Sequence, residues 1–75
     1  MDSVQESLLI NRYSILQYFV YNHLPQYLQD VSKQYHDLAF KMADLLPNNA
    51  ETAVALRKLL ESKDAAVRAA LPNGN

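Results

Sequence analysis

Gln29, Lys33, His36 and Phe40 recur at helical spacing and bring together the groups that a nucleotide needs. Phosphate oxygens take charge-assisted hydrogen bonds from lysine or protonated histidine, base edges pair with amides, and base faces stack on aromatic rings. A mixed stripe of this kind equally suits a solvated helix face or a contact between subunits. Upstream, Tyr21, Asn22 and His23 stand just before Pro25, where a helix is expected to begin. They are therefore close to free backbone amides and to the positive end of a helix dipole. This junction is the better place for an anion. The alternative is simple packing of an aromatic arm, with Tyr21 as a lid on the core.

Catalytic chemistry has no comparable set of residues. It needs a nucleophile with a base, a metal cage or carboxylates paired in a cleft, and none has recognisable spacing. His23 and His36 lie far apart without an HExxH motif, and there is no cysteine. The single glycine, Gly74, excludes a glycine-rich phosphate loop. The expectation is a non-enzyme with no catalytic residues, no bound metal and no cofactor. On the charged face of the last helix, Asp64 and Arg68 are expected to pair at i, i+4, an ordinary surface contact.

The elements that must hold these residues follow from hydrophobic periodicity. Leu24, Leu28, Val31, Tyr35, Leu38, Met42 and Leu45 alternate steps of four and three, an apolar seam on a helix of about 25–46. Pro25 suits its first turn, and Pro47 disfavours helix at the residue before it. Asn48 with Glu51 reads as a capping box that opens a second helix, about 49–71, with an apolar stripe at Ala53, Leu56, Leu60, Val67 and Leu71. So short a connection makes the two helices antiparallel neighbours. Residues 72–75 are expected to form a frayed tail. Before the hairpin, Ser3 and Glu6 fit another capping box, predicting a short helix at about 3–12 within an arm of residues 1–18. Leu8, Leu9, Tyr13, Leu16, Phe19 and Val20 are too apolar for water, so the arm packs across the hairpin or onto a neighbouring subunit. The fold class is all-α: one domain, 1–75, an antiparallel helical hairpin with a short N-terminal helix.

Composition bounds the partners. A chain of 75 residues without cysteine has a small core and no disulfide to reinforce it, which predicts self-association as a homo-oligomer. Seven basic residues against eight acidic ones give a net charge of −1, so no strong field favours long nucleic acid or an anionic membrane. A small anion remains possible, because a local cluster suffices to hold it. No apolar run approaches the ~20 residues of a membrane span, and Asp2 and Glu6 replace the basic leader of a secretory signal. A cytoplasmic setting is expected.

Several short motifs, Phe19-Val20-Tyr21, His36-Asp37-Leu38-Ala39, Leu56 and the run Leu60 to Arg68, together resemble the phage anti-CBASS cyclic-oligonucleotide sponge family. The likeness covers about residues 19–71. The resemblance implies a helical hairpin that assembles into hexamers in the cytoplasm of the bacterial host. Such proteins sequester cyclic di- and trinucleotide messengers without hydrolysing them, an immune-evasion role. It further implies that Tyr21 stacks on a base and that Lys33 or His36 contacts phosphate. The sequence departs from the family pattern at Ala65, where tryptophan is frequent, and in the apolar extension 1–18.

Overall fold

The computed structural model describes residues 1–72 and runs through four helical elements: α1 Ser3–Arg12, a 3₁₀ helix Ser14–Phe19, α2 Gln26–Leu45 and α3 Ala50–Ala70. The expected tail lies, beyond Pro72, outside the described residues. Helix limits agree with the periodicity to within a residue or two, but the caps differ. The Asp2 carboxylate, not Ser3, accepts from the Gln5 amide at 2.8 Å. Asn49, not Asn48, caps α3 by accepting from the Thr52 amide at 2.9 Å. The Thr52 hydroxyl then donates to the Pro47 carbonyl at 2.7 Å and is 4% exposed. Two cap bonds thus converge on Thr52, which the Asn48–Glu51 reading would have left turned away.

The unexpected element is the 3₁₀ helix. Tyr13, Leu16 and Phe19 recur every third residue, the period at which side chains of a 3₁₀ helix eclipse one another. All three are buried, Leu16 completely. The gain from burying this row outweighs the poorer hydrogen-bond geometry of the element.

Helices α2 and α3 run antiparallel. Thr52 touches Pro47 at the turn, and the Tyr35 and Ser62 hydroxyls share a 3.1 Å hydrogen bond farther along. The arm folds back over the hairpin of its own chain. Leu9, Tyr13, Leu16 and Phe19 from the arm meet Ala39, Phe40 and Ala43 of α2 and Leu56 of α3 in one core.

The expected seam on α2 is displaced. Its buried line runs through Leu28, Ser32, Ala39, Phe40 and Ala43, whereas Leu38 and Leu45 are 46% and 73% exposed. Small residues at 32, 39 and 43 let neighbouring helices approach closely, so the facing side follows size as well as hydrophobicity. Phe40, assigned by periodicity to the polar stripe, is only 2% exposed because the arm covers that flank. On α3, Thr52 rather than Ala53 points inward. Leu8 and Val20 of the arm remain exposed.

Candidate functional site

Val20 leaves the 3₁₀ helix in an extended conformation and delivers Tyr21 to the flank of α2. The turn that follows is closed by the Leu24 amide donating to the Tyr21 carbonyl at 3.0 Å. Gln29, at the end of the first turn of α2, reaches back and donates its side-chain amide to the Leu24 carbonyl at 2.8 Å. The junction is therefore closed by the first bond and fastened to the helix by the second. Gln29 serves as a clasp, with its amide donor already engaged.

Tyr21 and His36 meet with ring centroids 5.1 Å apart and planes at 70°, an edge-to-face pair. His36 lies in turn against Phe40, with centroids 4.5 Å apart and planes tilted by 36°. An aromatic column thus rises from the core at Phe40 to the surface at Tyr21. His36 Nδ1 is 2.9 Å from Asp37 Oδ1, and its Nε2 is 3.6 Å from Glu6 Oε1. Because an ionised carboxylate only accepts, Nδ1 carries the proton. Nε2 has no close hydrogen-bond partner at 3.6 Å and faces the hollow.

Lys33 donates to Asp37 at 2.6 Å. Hydrogen bonds from Lys33 and then from His36 hold the Asp37 carboxyl below the usual carboxylate range. The same bond to Asp37 raises the Lys33 ammonium above its ordinary value, with attraction to Asp37 and a smaller share from Tyr21 adding to it. Lys33, His36 and Asp37 form one linked set on the rim of the column.

Two adjoining hollows border this column. The smaller, about 190 Å³, is lined by Glu6, Val20, Tyr21, Asn22 and His36. The larger, about 550 Å³, extends along α1 and α2 past Gln5, Phe40, Lys41 and Asp44. Tyr21, Asn22 and His36 are therefore brought together, with Lys33 beside them through Asp37. His23 is not part of the cluster; its side chain lines a different hollow, with Lys63 of α3.

Glu6 is the residue that sequence reasoning missed. Its sequence signal is that of half a helix cap, and no local pattern connects it to His36. Its position comes from the arm folding over α2, a tertiary fact. Glu6, Asp37 and Asp44 bring negative charge to the larger hollow against Lys41 and His36, so local charge is mixed rather than cationic.

Among the described residues no three His, Cys, Asp or Glu side chains gather to hold a metal ion, and no helix is long and apolar enough to cross a membrane. No protein-family model matches the chain, and no curated protein or solved structure matches it significantly, so the arrangement of Tyr21, His36 and Lys33 has to be interpreted from its own chemistry.

Proposed function

We propose that this chain is a sponge of the phage anti-CBASS kind, which binds cyclic di- or trinucleotide messengers and holds them intact in the cytoplasm of the bacterial host. The observation that carries the reading is the Tyr21–His36–Phe40 column with Lys33 beside it. Tyr21 offers a stacking surface for a base, while Lys33 and a protonated His36 offer donors to phosphate. Retention without hydrolysis requires only these contacts. Micromolar to nanomolar affinity requires about 8–12 kcal/mol in total, which stacking and charge-assisted bonds supply once water is excluded.

Exclusion of water supports the oligomeric part of the proposal. The hollows beside Tyr21 are open, so a ligand with more than one base would remain half-solvated on a single chain. A second copy closing over the site removes that solvent. On the side of α2 turned away from His36, Leu38 and Leu45, with Leu46 at the helix end, offer an exposed apolar strip through which copies associate, and a hexamer is the assembly expected from the family resemblance.

Native mass spectrometry with a panel of cyclic di- and trinucleotides tests both parts at once. The expected result is a homo-oligomer that retains nucleotide at fixed stoichiometry and releases it intact on heating. A monomer that retains none overturns the proposal. The same leucine strip favours a second reading, a helical interaction module docked on a larger protein, which predicts calorimetric silence across the panel.

A further inference from the structure

A third hollow, of about 610 Å³ and lined by His23 among others, opens where the 3₁₀ helix and the turn after it meet α2 and the C-terminal half of α3. Its walls are largely apolar, with Val20, Leu24, Leu60 and Val67 contributing. Two polar groups in it lack an adequate structural explanation. Ser32 is 2% exposed, and its hydroxyl has no hydrogen-bond partner. A serine inside a helix usually turns its hydroxyl back to the carbonyl one turn earlier, and an unmet buried hydroxyl is costly. Lys63 is the other. Lysine side chains ordinarily extend their ammonium into water, yet this one is 17% exposed while Arg57 and Lys58 on the same helix are 59% and 64% exposed. Among the described residues its ammonium pairs with Asp64, at 3.1 Å, in place of the Asp64–Arg68 pair expected from sequence, and it makes no hydrogen bond to the protein.

We infer that this hollow binds a small carboxylic acid with an apolar body. The carboxylate accepts from the free donors of Lys63 and from the Ser32 hydroxyl, while the body packs on Val20, Leu24, Leu60 and Val67. Asp64 beside the ammonium decides the charge of the ligand. A monoanion shares Lys63 with it, whereas a phosphate dianion meets the repulsion of a second full charge. This site is separate from the Tyr21–His36 column and does not depend on the nucleotide reading.

The test is amide NMR of the whole protein titrated with benzoate and hexanoate, with benzyl alcohol and inorganic phosphate as controls. Saturable shifts at Leu24, Ser32, Lys63 and Val67 are expected for the two acids only, with Lys63→Met weakening them at least about tenfold. Ser32→Ala gives a second readout. It weakens binding yet raises the melting temperature, because it removes an unsatisfied buried hydroxyl that a merely structural serine would not leave. No saturation by either acid, equal binding of phosphate, or unchanged affinity in Lys63→Met overturns the assignment.

Discussion

The His36 ring sits between Tyr21, 5.1 Å away at the surface, and Phe40 in the core, so the edge-to-face contact between Tyr21 and His36 joins the junction to the packed interior. Tyr21 is only partly buried and adds little to the core, which separates a binding role from a structural one. Tyr21→Ala is expected to weaken cyclic-nucleotide binding by about 1–3 kcal/mol, the value of one stacked base. The oligomer should remain intact. Calorimetry and sedimentation on the same sample check both halves, and a variant that binds like the parent moves the site elsewhere.

The Lys33–Asp37 pair makes a prediction about pH. Asp37 titrates below its ordinary value of 3.8 in the folded chain, so the pair's contribution is present above that pH and fades as pH falls through the lowered value. Lys33 is raised above 10.5, so on the alkaline side the contribution is complete below that pH and fades as pH rises through the raised value. Both side chains are more than half exposed, so the effect on global stability is small. Carboxyl-detected NMR should show Asp37 titrating below 3.8, and Lys33→Met should move it upward while the His36 bond keeps it somewhat depressed. A titration unchanged by Lys33→Met would show that the pair is absent in solution.

How much of this was legible beforehand depends on the range of the interactions. The limits of α1, α2 and α3 rest on local signals such as periodicity and the two prolines, and these were readable. Which side of α2 faces inward was not. The leucine seam and the small-residue line Ser32, Ala39, Ala43 lie about a quarter turn apart around the helix, and the choice is made by the arm, whose Tyr13–Leu16–Phe19 row needs a flank to cover. That row recurs every third residue, a period outside the four-and-three spacing from which the long helices are read. Tyr21, Asn22 and His36 stand out by type and spacing, and the fold sets them around one hollow. Glu6 and the separation of His23 depend on contacts between segments far apart in sequence, for which no short pattern exists.

The core offers a test of how far the single chain depends on association. Leu56 is fully buried where both hairpin helices and the arm converge. Leu56→Ala should cost about 2–5 kcal/mol, a large share of what so short a chain possesses. If copies associate as proposed, mass action restores part of the loss, so the denaturation midpoint of the variant should rise with protein concentration. A midpoint independent of concentration would indicate that the folded unit is the lone chain.

Glu6 sets the sign of the last prediction. Its carboxylate lies 3.6 Å from His36 Nε2, on the side from which a phosphate would approach the imidazole. A protonated His36 is attracted to Glu6, but a phosphate placed there meets like charge. Removing that charge while keeping the shape should therefore strengthen anion binding rather than weaken it. At the dielectric of water, which an open and solvated rim approaches, one like-charge contact at this range is worth about 1 kcal/mol before salt screening, so Glu6→Gln should tighten cyclic-nucleotide binding about five- to tenfold at low ionic strength. The gain should shrink as salt is added. Calorimetry at two salt concentrations reads it directly. Weaker binding in Glu6→Gln would mean instead that Glu6 orients the His36 ring for the ligand, and that this assistance exceeds the repulsion.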